Sequence, residues 1–406
     1  MISPPVIHNF NKLVEPYLEG GRVISHKTRF LTKPCDNYGS TMLAVTANVQ
    51  KQNGQIEELE LVAKLPPMSE AYWKMFRPQK TFVTENNIYT ELAPALRQLV
   101  KDQNLNEVDI FDVYPRCYGA RVSLDENSNQ VDRDATLVLE NLATSGYRTG
   151  ERTQGFDYET TLVILKHLAT YHALPIALKI LKPKIFKEKL LNSVQEFYMN
   201  DYIEQDATCD DIKSIPEIGE DCIEKIPELF GMFEKYMKGI KRDGSGLFDT
   251  LAHNDFWVNN MLIQNDSEGK PSKIKIVDFQ LVQPDSLMHD VIFFLFTSVK
   301  SELLTDKFYE FLEIYYKYFI EILEIVGCPT NDYTYEKFLD EAKCIAPIQV
   351  SHVMMMLKVV YLNKDVAPDD FSEVTPDVFS KQNAYGKQYF NKLKQVILMY
   401  KKLGIM

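Results

Sequence analysis

The chain has 406 residues, with 45 Lys and Arg against 57 Asp and Glu and a formal net charge of −12. No Lys/Arg-rich run stands out, which argues against nucleic acid as a partner. The length allows a sizeable core and fits two lobes better than one small module.

Six cysteines, at positions 35, 117, 209, 222, 328 and 344, form no Cys-x-x-Cys pair. They read as reduced thiols, not as a disulfide frame or a zinc site. The first thirty residues lack the apolar segment of a signal peptide. The longest uninterrupted apolar run, Val291 to Phe296, is too short to span a bilayer. The expectation is a soluble cytoplasmic protein with no membrane partner and an oligomeric state left open.

In chain order, Phe10, Leu13, Val14, Tyr17 and Leu18 have helical spacing, ended by Gly20-Gly21. Val23 to Leu31 and Met42 to Val49 read as strands around a polar turn, Asn37-Tyr38-Gly39-Ser40. A strand, a turn containing glycine and a second strand is how a phosphate-covering loop is built. With Gly39 as its one glycine, the turn by itself reads as an ordinary hairpin. Glu58 to Pro67 is a further strand, carrying Lys64 near its end. A lysine in an apolar strand is costly to bury unless paired. Glu85, on a helix predicted over Met75 to Leu99, is available as the partner. In kinase folds a strand lysine of this kind holds nucleotide phosphates and is positioned by a helix glutamate.

Asp134 to Leu142 reads as a buried strand with a polar exit at Glu140, which is either a hinge residue or simply the strand's end. A helix is predicted from Tyr158, ended by Pro175, with His167 and His172 as packed or capping residues. Residues 184–250 read as Lys- and Glu-rich helices interrupted at Pro216 and Pro227, and the chain beyond Ser301 as mostly helical.

Between them lies the stretch that carries chemistry, Leu251 to Phe279. It contains His253-Asn-Asp255-Phe-Trp257-Val-Asn-Asn260, then a turn at Asn265 to Pro271, then Lys273-Ile-Lys-Ile-Val-Asp278-Phe-Gln280. The reading is a hairpin with Asp255 and Asn260 on its first arm and Asp278 just past its second. An Asp, an Asn five residues on and an Asp after the next strand is the phosphotransferase arrangement of a catalytic aspartate and two magnesium ligands. Asp255 takes or steers the acceptor's proton. Asn260 and Asp278 supply the oxygen ligands that Mg²⁺ prefers. Asp290 begins an apolar helix and is expected to brace the loop by accepting backbone N–H groups.

These residues resemble the insect ecdysteroid kinase-like family, related to choline kinases and aminoglycoside phosphotransferases. The match rests on His253-Asn-Asp255-Phe-Trp257-Val-Asn-Asn260, Asp278-Phe-Gln280 and Asp290-Val-Ile-Phe-Phe-Leu. Asn254 departs from the glycine usual there, and asparagine tolerates left-handed backbone better than other residues with side chains. The resemblance adds Asn37, Tyr38, Gly39 and Ser40 as a nucleotide-covering element. It also makes Glu140 to Leu142 the connection whose backbone pairs with adenine.

The expected fold is α+β and two-lobed, protein-kinase-like. A small β-rich lobe over residues 1–140 binds nucleotide, and a larger helical lobe over 141–406 holds catalytic and acceptor sites. The expected function is ATP- and Mg²⁺-dependent phosphorylation of a small hydroxylated molecule, ecdysteroid-like or xenobiotic-derived. The alternative is a catalytically idle relative that binds a ligand or nucleotide. Protein kinase activity is disfavoured, because Asp278-Phe-Gln replaces Asp-Phe-Gly and no Ala-Pro-Glu segment follows.

Overall fold

The computed structural model describes residues 3–32, 39–105, 113–197, 205–239, 243–363 and 384–406. The N-terminal third supplies a five-stranded antiparallel sheet. Helix α1 (Phe10–Val14) precedes strands β1 (Arg22–Phe30), β2 (Thr41–Gln50) and β3 (Ile56–Leu65). Helices α2 (Glu70–Phe76), α3 (Pro78–Asn87) and α4 (Ala93–Asp102) follow, then β4 (Cys117–Arg121) and β5 (Thr136–Glu140). The strand order is β1-β2-β3-β5-β4. Val45, Ala47, Leu61, Ala63 and Val138 pack from the sheet onto Phe10 and Val14 of α1, making a small core of their own.

The single helix expected over Met75 to Leu99 is broken. Arg77 turns left-handed, with φ 47°, ahead of Pro78, and Ile88–Leu92 widens into a π-turn. Proline disfavours a helical residue before it, which sets the first break. Helices α3 and α4 leave the small core behind: Phe82, Tyr89, Leu92, Leu96 and Leu99 belong to the large core shared with the helical lobe. The helix carrying Glu85 is therefore anchored below the sheet.

The rest is helical around two small sheets. Strand β6 (Arg148–Thr149) leads to α5 (Tyr158–Leu181), α6 (Gln205–Lys213), α7 (Glu220–Gly239) and strand β7 (Asp249–Ala252). Then come β8 (Met261–Asn265), β9 (Pro271–Ile276), β10 (Gln283–Ser286) and α8 (Met288–Ser298), followed by α9 (Ser301–Ile325), α10 (Tyr335–Tyr361) and α11 (Lys387–Lys402). The sheets run β10-β7 and β6-β8-β9.

Two expected helix stops are overturned. Helix α5 runs through Pro175 for 24 residues, and α7 runs through Pro227. An interior proline costs about 3 kcal/mol. In α5 the flanking turns are buried on every side, and that burial outweighs the lost hydrogen bond. Helices α5 and α10 are also long and apolar enough to cross a membrane, unlike the short run seen in the sequence. Their apolar windows are 78% and 56% buried within the protein. Among the described residues the cysteines are free, Cys222 and Cys328 being buried.

Candidate active site

Lys64 comes from the end of β3, where alternation turns it inward beneath the sheet. Its side chain is 4% exposed, and its ammonium lies 2.5 Å from Glu85 Oε2 and 2.7 Å from Asp278 Oδ1. One cation thus sits between two carboxylates from different parts of the chain. Burial pulls Lys64 down, but Asp278 and then Glu85 outweigh it, and its pKa is raised overall. Burial pushes Glu85 up, as does Asp278, and Lys64 and the Phe279 backbone amide only partly offset this, leaving it at about 7.

Asp278 follows β9 and adopts left-handed backbone, φ 68°, which turns its carboxylate back toward Lys64. The next residue fixes that turn. Phe279 is fully buried, with its ring 5.2 Å from Tyr114, 5.4 Å from His253, 5.5 Å from Tyr89 and 6.0 Å from Tyr171. This aromatic cage is not visible in the sequence, because its members come from four separate segments. The nearest signal is Tyr89, one helical turn beyond Glu85.

The catalytic stretch is laid out differently from expectation. The hairpin is β8–β9, paired from Met261↔Ile276 onward. Strand β7 pairs instead with β10. Asp255 therefore lies in the loop before the hairpin, and Asn260 at its foot, because the Val258–Asn260 turn separates them from the first arm. The two still meet: Asn260 Nδ2 donates to the Asp255 carboxylate at 2.8 Å and to the Asp255 carbonyl at 2.9 Å. Asp255 is half-buried. Surrounding protein, and then Asp278, push its pKa well above the usual carboxylate range, against hydrogen bonds from Asn260 and Trp257.

Asn254 has φ 59°, the left-handed conformation expected of it, and its side-chain amide donates to the carbonyls of Ala252 and Leu281. Asp290 braces the loop as expected. It is fully buried and accepts from the backbone N–H groups of His253 at 2.6 Å and Asn254 at 2.8 Å. Its Oδ2 also bonds His172 Nε2 at 2.9 Å, while Tyr315 bonds the other ring nitrogen. His172 is thus a packed core histidine.

Ser40 and Gly39 are buried, whereas Asn37 and Tyr38 lie outside the described residues. A Cβ on Gly39 would stand 2.6 Å from the Gln280 amide nitrogen, so the turn packs directly on the Gln280 side chain, which any larger residue there would displace. Glu140 is tied into structure: its carboxylate accepts from the Arg116 N–H at 2.8 Å and lies 4.0 Å from Lys275 of β9. Leu142 is buried at the start of a short 3-10 turn, and its carbonyl accepts from the Tyr147 N–H. Among the described residues no group of three His, Cys, Asp or Glu gathers as a metal cluster.

No curated protein matches the chain. Among solved structures it is similar to "Structure of the GDP and kanamycin complex of APH(2")-IIia", at 10% identity and TM-score 0.41, covering 97% of this chain and 98% of that one. It is also similar to the GDP complex of wild-type aminoglycoside 2'-phosphotransferase-IIIa, at 11% identity and TM-score 0.41, covering 98% of this chain and 100% of that one. The ecdysteroid kinase-like family matches residues 34–328, well over half of the length and including Lys64, Glu85, Asp255, Asn260 and Asp278, so the chain belongs to that family.

Proposed function

We propose that the protein is an ATP- and Mg²⁺-dependent kinase that phosphorylates a hydroxyl of a small lipophilic acceptor, ecdysteroid-like or xenobiotic-derived. The observation that carries this reading is Lys64 held between Glu85 and Asp278, at 2.5 and 2.7 Å. A buried ammonium facing two carboxylates is held charged, and the carboxylate of Asp278 beside it suits a site completed by a divalent cation.

The donor set fits magnesium. Asp278 offers a carboxylate, and Asn260, with its amide nitrogen taken by Asp255, offers an amide oxygen. Two oxygen donors without sulfur or imidazole suit a hard cation that keeps water and phosphate oxygens as its other ligands. When bound, the metal neutralises charge on the transferring phosphoryl group.

The chain's own residues do the rest. Lys64, held by Glu85, presents its ammonium to the nucleotide phosphates. Asn260 fixes the rotamer of Asp255. Asp255 accepts the acceptor's hydroxyl proton as the acceptor oxygen bonds to the γ-phosphorus. The bond from that phosphorus to the β,γ-bridging oxygen breaks, and ADP leaves with the electron pair. A raised pKa makes the ionised carboxylate a stronger base toward the hydroxyl proton.

The test is ATP consumption over a panel of ecdysteroid-like and xenobiotic-derived alcohols, with the phosphate ester identified by mass. Acceptor-dependent ADP release with a product 80 Da heavier, the mass of the added HPO₃, is expected (about, by the composition of a phosphate monoester). Nucleotide binding without turnover on any acceptor would replace this reading with that of an idle ligand- or nucleotide-binding protein.

A further inference from the structure

A polar recess lies in the helical lobe, formed by residues outside the Lys64–Asp278 set. It is a cavity of about 570 Å³ at the start of α9, the end of α10 and one face of α11. Its wall includes Lys300, Ser301, Tyr361, Asn391, Lys392 and Gln395. Lys392 is 4% exposed, and its ammonium donates to the Val299 carbonyl at 2.7 Å. Among the described residues that carbonyl is its one hydrogen-bond partner.

A buried ammonium bonded only to a neutral carbonyl is costly, and the cost is relieved by an anion or by losing the proton. Burial pulls the Lys392 pKa down to about 8, with Glu302 acting the other way. Among the described residues the other charged groups on the wall are Lys300, Lys394 and Glu302. Lys394 already pairs with Glu217 at 2.7 Å. Lys300 and Lys392 against Glu302 leave the described residues of the wall with an excess positive charge.

The same wall holds the first turn of α9, a 25-residue helix whose N-cap, Lys300, makes no side-chain capping bond. Free backbone N–H groups at a helix start, beside a lysine point charge, are the recurrent elements of phosphate recognition. The volume exceeds that of a lone ion and falls in the range of small-molecule pockets.

We infer that this cavity binds a phosphoryl oxyanion, as free phosphate or as the phosphate of a small monoester, with Lys392 as its counter-charge. This site does not depend on the kinase reading, since none of its residues belongs to the Lys64–Asp278 set.

The experiment is calorimetric titration of the full chain with inorganic phosphate and with glycerol phosphate, at constant ionic strength set by chloride. Saturable binding by either probe is expected, weakened at least about tenfold in Lys392→Met, the loss of one charge-assisted hydrogen bond. Gln395→Glu places a carboxylate on the half-buried wall and is expected to weaken binding similarly, so it decides the matter if Lys392→Met does not fold. Lys64→Ala should retain the binding. Absence of saturable binding by the wild-type chain overturns the inference. So does binding that survives Gln395→Glu and a folded Lys392→Met, or binding lost in Lys64→Ala alone.

Discussion

Asp255 carries the most direct residue-scale prediction. Its carboxyl must be ionised to accept a proton, and burial followed by Asp278 raises its pKa. Turnover should therefore be full above that raised value and fall as pH drops through it. The acid limb of kcat/KM is expected above the ordinary aspartate value of about 3.9. In Asp255→Asn, turnover should fall by about 10²–10⁴-fold, the usual contribution of a general base, and the acid limb should vanish from the residual rate. Mg·ATP affinity should stay within a few-fold. Near-normal transfer by a folded variant would remove Asp255 from the chemistry.

Asp278 predicts a different signature. Lys64 faces two carboxylates, so Asp278→Ala leaves a balanced pair with Glu85. The thermal midpoint without ligands should hold steady or rise, while the added stabilisation by ATP loses its dependence on Mg²⁺. A variant whose nucleotide stabilisation still responds to magnesium as the wild type does would refute the ligand assignment.

At the scale of elements, the brace from α8 to the catalytic loop invites a stability measurement. Asp290→Ala leaves the buried N–H groups of His253 and Asn254 and the His172 ring without their acceptor. Breaking a buried pair of this kind costs about 3–5 kcal/mol. The denaturant midpoint should fall accordingly, and a change below about 0.5 kcal/mol would show that the loop is held by something else. Burial pushes the Asp290 carboxyl up, but its bonds to His172 and the field of His253 outweigh that and hold it below the usual value. Its contribution is therefore present above the unfolded aspartate pKa. It is lost only as pH falls through the depressed folded value, not between pH 5 and 7.

What the sequence revealed follows from range. Lys64 on its strand, Glu85 on its helix and Asp278 at a strand end are each signalled by local periodicity, and pairing Lys64 with Glu85 needs only the cost of burying a charge, whereas the contact of Lys64 with Asp278, 214 positions away, carries no local signal. Asn254 was legible because its short polar side chain suits the φ of 59° that the loop imposes. Helix α5 was not, because a local rule stops a helix at proline, while the burial that carries the chain past Pro175 comes from distant segments. The layout of β7 was misplaced for the same reason. Its partner β10 lies beyond the hairpin, and a four-residue strand, Asp249–Ala252, does not name its neighbour.

At the scale of the whole molecule, the sheet has a small core that includes Tyr118 of β4 and Val138 of β5, while α3, α4 and the helices beyond β5 share the large one. A lobe boundary drawn at residue 140 follows the strands but divides the large core, since α3 and α4 pack with the helices below. Lys64 reaches down from the sheet to a glutamate that is anchored to the lower body. The ion pair is thus a rivet between the two cores, and α3 also packs directly on the Phe279–Leu281 turn.

The ring cage around Phe279 bears on how such a protein could be governed. Swinging Asp278 away from Lys64 would draw Phe279 from among Tyr89, Tyr114, Tyr171 and His253 and leave a hole, a loss of about 3–5 kcal/mol by analogy with Phe→Ala substitutions. At about 1.4 kcal/mol per factor of ten, fewer than about one molecule in a hundred would be disassembled at any moment. Stopped-flow nucleotide binding is accordingly expected to be a single exponential whose rate rises linearly with concentration. A slow, concentration-independent phase would contradict this. On the proposed function, a turn held in one position is a catalyst always cocked, and its output follows how much protein is made and how much acceptor arrives.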